Sequence, residues 1–233
     1  MAILNQRLLG LDLFRGVAII LMMLFHLSFD LNHFRFIEID IYGGMFWKYA
    51  RWVIVSMFLL AVGYSLYLAY NEKIIWEKVF KRLRTLTLYA VLISVVTYFI
   101  FPTSWIYFGV LHFILLASLL GLLFVRIPWI ALLTSVIIFA GSFFGWLHTV
   151  WLYKFLQPLL MLPRHAEDLV PLFPWFGCVL LGIFLASKNV IPQVPSIKVI
   201  QKIAFLGRHS LIIYMVHQPL FFGVLLLVTQ FFL

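Results

Sequence analysis

Long runs without charged residues dominate this sequence. These runs cover 52–71, 85–125, 127–153, 169–187 and 209–233. About 20 apolar residues are enough for a helix to cross the hydrocarbon core of a bilayer. The run 85–125 is too long for one crossing, and Pro and polar residues in "FPTS" (101–104) divide it into two helices. The pattern therefore predicts membrane-spanning helices.

Another apolar stretch, "LDLFRGVAIILMMLFHLSFDLN" (11–32), precedes these runs. We do not expect a cleaved signal peptide here, because Asp12 and Arg15 interrupt the apolar region and no small-x-small site follows Asp30. With this stretch the predicted spans lie near 9–32, 47–70, 84–101, 105–125, 128–146, 170–187 and 207–231.

Composition supports the same interpretation. The chain is 65% hydrophobic and 11% charged, with a mean hydropathy of +1.10, and a soluble domain of this length could not bury so much apolar surface. We therefore expect an all-α, polytopic transmembrane bundle of about seven spans, forming one domain over 1–233. The net charge of +9 does not predict nucleic-acid binding, because the charges follow the predicted membrane boundaries.

The basic residues set the predicted orientation. If the segment 71–84 is cytoplasmic, eleven Lys and Arg residues lie inside and five outside, which is the positive-inside bias. The N-terminus is then inside and the C-terminus outside. The inside residues are Arg7, Lys73, Lys78, Lys81, Arg82, Arg84, Arg126, Lys188, Lys198, Lys202 and Arg208. The outside residues are Arg35, Lys48, Arg51, Lys154 and Arg164.

Ionisable residues share one face of the first predicted helix. Asp12, Arg15 and His26 are spaced by multiples of about one turn, and ionisable groups within a membrane usually mark function. Arg15 and His26 lie about 16 Å apart along the axis, with Arg15 toward the cytoplasm. The spacing predicts that Asp12 pairs with Arg15 and that Asp30 reaches back to His26.

Two further histidines lie in predicted spans. His112 is expected about two turns deep in the fourth, and His217 shares a face of the last with Ser210 and Tyr214. Taken alone, either histidine is also compatible with a buried imidazole satisfied by a neighbouring helix. His26 differs because Arg15 and two carboxylates accompany it.

Motifs of soluble enzymes are absent from the sequence. It contains no Walker loop, dinucleotide fingerprint or nucleophile elbow. His and Cys residues do not occur at the spacings of metal ligands, so we expect no metal. Cys178 is the one cysteine, which leaves no intrachain disulfide.

Several segments carry a resemblance to membrane acyltransferases. Arg15 followed by ten residues and His26 is similar to the Arg/Lys-x10-His motif of the acyltransferase-three family, and Arg82-x-Arg84 resembles its cytoplasmic Arg-x-Arg motif. More of the chain resembles the heparan-alpha-glucosaminide N-acetyltransferase catalytic-domain family and its small bacterial relatives. The matching pieces are "LDLFRGVAIILMMLFH", "FLLAVGYSL", "YFGVLHFI", "PLFPWFG" and "LGRHSLIIYMVHQP".

The resemblance implies acyl transfer from cytoplasmic acyl-CoA to an extracytoplasmic sugar-like acceptor, in the plasma (inner) membrane of a bacterium. It does not extend to the heparan substrate. The animal enzyme has more spans and a catalytic histidine in the loop after the first helix, where this chain has only His33 at a position that does not align.

An acyl-CoA path follows from these residues as an expectation. Lys81, Arg82 and Arg84 would hold the CoA phosphates, and the pantetheine arm would pass Arg15, bringing the thioester to His26. His26, oriented by Asp30, would act either as a general base or as an acylated nucleophile. Candidates for stabilising the thioester oxyanion are Arg15, His112 and Tyr214, and Tyr214 and His217 are expected to contact the acyl donor.

Other functions remain compatible with the sequence. The main alternative is a small proton-coupled transporter of an organic anion, with Arg15, His26 and Asp30 as its site. The basic segment, amphipathic through Ile75, Trp76, Val79, Phe80 and Leu83, is equally compatible with an anchor on anionic lipid. A structural membrane subunit is a third option, although it would not need a charged first helix.

Overall fold

The computed structural model describes residues 2–164, 166 and 168–232, with side chains described from residue 9 to residue 231. Over these residues it is all-helical, as predicted. The prediction for Arg7 concerns a side chain outside this range, and Leu233 also lies outside it. The helices are α1 (Ala2–His33), α2 (Met45–Tyr70), α3 (Trp76–Ile100), α4 (Val110–Gly121), α5 (Pro128–Phe143), α6 (Val150–Leu160), α7 (Leu172–Ser187), α8 (Lys198–Arg208) and α9 (Ser210–Phe232).

Each predicted span overlaps one apolar helix. Within the described residues, those long and apolar enough to cross a membrane are Leu9–His33, Met45–Tyr70, Trp76–Ile100 and Ser210–Phe231. The remaining three predicted spans contain the shorter helices α4, α5 and α7. With 12 residues, α4 is about 18 Å long, less than the hydrocarbon thickness of about 30 Å. The number of crossings and the orientation therefore stay predictions.

Two helix boundaries differ from the prediction. α3 begins at Trp76 and continues to Ile100, so the basic segment forms the first turns of a long helix; no Pro or Gly between these residues interrupts it. The last predicted span, 207–231, is divided at His209, and the preceding residues form α8. The sequence analysis did not predict α8, because its apolar residues lie on one face only and its basic residues interrupt any apolar run.

Backbone contacts divide the chain into two compact units. The terminal unit comprises Met1–Phe58 and Ile191–Leu233, and the central unit comprises Leu59–Val190. The boundary falls within α2. A single domain over 1–233 stays a prediction.

In the terminal unit, α1 and α8 cross with their backbones in contact. A Cβ added at Gly16 would overlap the carbonyl oxygen of Ile203, and one at Gly207 would overlap that of Asp12. Only glycine permits so close an approach. These two positions therefore determine how α8 packs across the N-terminal half of α1. The C-terminal part of α1 packs against α9, with His33 and Phe34 in contact with Phe222.

The central unit is built around α7, which packs against α5. Its residues Val179, Leu180 and Ile183 are fully buried. The hydroxyl of Ser135 in α5 donates to the carbonyl of Gly177 across this contact, at 2.8 Å. The unit also contains α3 and α4, whose contact positions His112.

Candidate active site

The polar face of α1 carries an ion pair in the N-terminal half of the helix. Arg15 Nη1 lies 3.0 Å from Asp12 Oδ1, and Asp12 is buried. The predicted Asp12–Arg15 pairing is therefore confirmed. Two charges of opposite sign on adjacent turns reduce the cost of placing either one in an apolar setting.

His26 lies nearer the C-terminal end of α1, and the hydrogen-bond partner of its ring identifies the protonated nitrogen. Its Nδ1 is 3.0 Å from the carbonyl oxygen of Met22. A carbonyl oxygen only accepts, so Nδ1 of the neutral ring carries the hydrogen and donates it. The lone pair then belongs to Nε2, the atom that can take a proton from a substrate.

His217 of α9 lies directly against His26. The two ring centroids are 4.8 Å apart, with the planes at 68°, an edge-to-face contact. His217 is 5% exposed, and its Nδ1 donates to the carbonyl of Tyr214 at 2.8 Å. His217 therefore belongs to the same site as His26. This pairing depends on how α1 packs against α9, which no sequence spacing reveals.

Asp30 does not orient His26 directly. The predicted i, i+4 contact is wrong: Asp30 Oδ1 accepts a hydrogen bond of 2.7 Å from the side-chain amide of Gln218, while His26 donates to Met22. Asp30 has no exposed surface. The carboxylate turns toward α9 because an amide donor is available there, and it links the two helices one turn beyond the histidine pair. Sequence reasoning missed Gln218, whose only signal is its place beside His217 in "VHQP".

Side chains fill the face of α1 between Arg15 and His26. Ile19 and Met22 are buried against Ile54, with Ile213 and Tyr214 of α9 packed on them. The pantetheine path expected along this face is occupied in this structure, and a donor taking it would have to displace these side chains. Tyr214 also approaches the site itself, since its ring centroid is 5.8 Å from that of His217.

His112 belongs to the central unit, where both of its ring nitrogens are bonded. Its Nδ1 accepts from the backbone N–H of Gly109 at 3.3 Å, and its Nε2 is 3.1 Å from the hydroxyl of Ser94. That hydroxyl donates to the carbonyl of Ile106, so Nε2 donates to Ser94. His112 thus caps the start of α4. The spacing Gly109-x-x-His112 is the sequence signal for this arrangement.

The basic residues of the central unit lie on α3. Lys81 and Arg84 are exposed, and Arg82 is partly buried. All three lie in the first turns of the helix, within reach of a polyanion at its surface. Phosphate binding by these residues stays a prediction.

An open surface depression follows the end of α1 in the terminal unit. Most of the side chains that line it are exposed. Sequence reasoning did not identify it, because it is formed by the fold of a single loop, in which the side chain of Asn32 accepts a hydrogen bond from the N–H of Ile39. It is lined by Asn32, Arg35, Ile37, Glu38, Ile39 and Asp40.

Comparisons with known proteins give one assignment. Among characterised proteins and among solved structures, none gave a significant match. The sequence profile of a family described as "heparan-alpha-glucosaminide N-acetyltransferase, catalytic" matches residues 7–219, a range that includes His26, Asp30, His217 and Gln218. This match confirms the resemblance to that family, and together with the long apolar helices it indicates an integral membrane protein. The chain belongs to the heparan-alpha-glucosaminide N-acetyltransferase catalytic-domain family.

Proposed function

We propose that this chain is a transmembrane acyltransferase of the bacterial inner membrane. It transfers an acetyl or another short acyl group from cytoplasmic acyl-CoA to a hydroxyl or amine of an extracytoplasmic sugar or glycan. The observation that carries the proposal is the contact of His26 with His217, 4.8 Å between ring centroids, in a family of acetyltransferases.

His26 acts as the general base. Its Nε2 removes the proton from the acceptor hydroxyl or amine, whose oxygen or nitrogen attacks the thioester carbonyl. The tetrahedral intermediate expels the CoA thiolate, which recovers the proton from His26. In the alternative, His26 Nε2 attacks the thioester carbonyl and expels the CoA thiolate. The acceptor oxygen or nitrogen then attacks the acyl-histidine, releasing the imidazole and giving its proton to the thiolate. His217 positions the ring of His26 for either course.

The remaining residues serve the donor. Lys81, Arg82 and Arg84 bind the CoA phosphates, and Arg15 attracts the same polyanion at the inner end of α1. Tyr214 is the better placed candidate for the thioester oxyanion, because its ring adjoins His217 whereas His112 uses both ring nitrogens within the fold.

The alternative is a proton-coupled transporter of an organic anion. It is favoured by Asp30, a fully buried carboxylate of the kind that carries protons in transporters. This function needs no acyl-CoA and leaves its substrate chemically unchanged.

Turnover of the purified protein distinguishes the two functions. We expect acetyl-CoA plus a panel of sugars, amino sugars and glycans to yield an acylated product and free CoA in equal amounts. Acetyl-CoA, but not acetate, should raise the melting temperature. His209→Ala, which alters an exposed histidine, is the matched control for His26→Ala. Uptake of an anion into proteoliposomes without CoA release would contradict the proposal.

A further inference from the structure

The link between Asp30 and Gln218 leaves hydrogen-bonding capacity unused. Asp30 Oδ1 accepts from the Gln218 amide at 2.7 Å. Asp30 Oδ2 and Gln218 Oε1 are both buried, and no hydrogen-bond partner for either occurs in the described part of the chain. A buried acceptor left without a donor costs about 1–3 kcal/mol, and more when it is charged. Two such atoms in one pair indicate a ligand that donates two hydrogen bonds.

The pair lies beside the histidines. Asp30 is one helical turn beyond His26, and Gln218 directly follows His217, whose ring contacts that of His26. A group bound by the two oxygens is therefore held next to the base.

We propose that Asp30 Oδ2 and Gln218 Oε1 bind two adjacent hydroxyl groups of the acceptor, next to the hydroxyl or amine that is acylated. This inference rests on the proposed function and adds a specificity element to it. Two acceptor oxygens match the two O–H donors of a vicinal diol, as in a sugar ring. The carboxylate strengthens one of the bonds and disfavours anionic ligands, including the phosphates of the donor.

Asp30→Asn separates ligand binding from a structural role. The asparagine oxygen still accepts from Gln218, so the link between α1 and α9 is kept. The second carboxylate oxygen, which is offered to a diol, is replaced by an NH₂ group that cannot accept a hydrogen bond. We expect an unchanged melting temperature, an acceptor KM raised about 10-fold or more, and an unchanged KM for acetyl-CoA.

The double variant Asp30→Asn/Gln218→Glu restores one carboxylate and one amide, and the acceptor KM should return toward the wild-type value. Gln230→Glu, at an exposed position of α9, is the control for the second substitution.

Binding of small hydroxyl compounds, measured as thermal stabilisation, tests this inference without any measurement of turnover. The probes are methyl glucoside, which carries adjacent hydroxyls, tetrahydropyran-2-methanol, which carries one, and methylammonium chloride. Methyl glucoside should stabilise the wild-type protein and not Asp30→Asn, and the other two should stabilise neither. An equal effect of methyl glucoside on both proteins, no effect on the wild type, or stabilisation by methylammonium alone would overturn the inference. If the wild type transfers no acyl group, the proposed function fails, whereas diol binding lost in Asp30→Asn would still support this site.

Discussion

His26 and His112 both lie in apolar helices of this chain, and their rings are held in different ways. His112 accepts from Gly109 and donates to Ser94, so both nitrogens serve the local fold. His26 uses Nδ1 for the carbonyl of Met22 and directs its ring toward another helix, where it contacts His217. The two histidines have similar sequence surroundings, but only His26 keeps a ring nitrogen, Nε2, that can accept a proton from a substrate. The tautomer of a buried histidine and its hydrogen-bond partners therefore decide whether it can act as a base, more than its depth in the predicted span.

The largest effect should come from His26→Ala. Removing the general base should lower kcat by about 10²–10⁴-fold, while the affinity for acetyl-CoA changes little because the imidazole acts at the chemical step. Single-turnover kinetics and donor binding measure the two quantities separately. Near-normal turnover in this variant would mean that His26 is not the general base and does not differ from His112 in function.

His217→Ala should have the next largest effect. Without the edge-to-face contact the His26 ring loses its position, and a displacement of about 1 Å can cost about 10²-fold in rate. We expect kcat to fall while the KM for acetyl-CoA is kept. His217→Phe preserves an aromatic edge and should recover most of the rate, whereas His217→Gln should not. Failure of Phe to do better than Gln would mean that the His217 nitrogen itself takes part.

The basic turns of α3 should contribute to donor binding. Arg82→Ala/Arg84→Ala should weaken acyl-CoA binding by about 1–3 kcal/mol for each charged hydrogen bond lost. A pantetheine thioester, which lacks the distal phosphates, should bind the variant and the wild type alike. Equal losses for both ligands would support a plain lipid anchor.

The smallest effect on activity should come from His112→Ala. Loss of its two hydrogen bonds should lower the free energy of unfolding by about 1–3 kcal/mol, with kcat per folded molecule near the wild-type value. Ser94→Ala removes part of the same network and should reproduce part of that loss. Thermal unfolding and turnover on the same samples test this, and a loss of kcat comparable to that of His26→Ala would return His112 to the catalytic site.

Sequence alone could predict those features that depend on neighbours along one helix. The apolar runs gave the positions of the main helices, and i, i+3 spacing gave the Asp12–Arg15 pair. The apolar pattern does not indicate that α3 begins at Trp76, because the basic residues of its first turns lie outside the apolar run, although no Pro or Gly breaks the helix there.

The site was harder to predict because its contacts join distant segments. Asp30 and Gln218 are 188 positions apart, and the contact of His26 with His217 depends on the packing of α1 against α9. An i, i+4 spacing made Asp30 a reasonable partner for His26. In the structure, however, the side-chain amide of Gln218 in α9 is hydrogen-bonded to the Asp30 carboxylate. Spacing along a helix says which groups can meet, and tertiary packing decides which do.

Acyl transfer across the membrane by His26 can be measured in proteoliposomes that separate the donor from the acceptor. Acetyl-CoA labelled in the acetyl group is supplied on the cytoplasmic side of the protein and a sugar acceptor on the opposite side. We expect the label to appear in the acceptor, with CoA retained on the donor side, for the wild type and for His112→Ala but not for His26→Ala. Transfer only when donor and acceptor share one compartment, or equal transfer by His26→Ala, would show that His26 does not carry out transfer across the membrane.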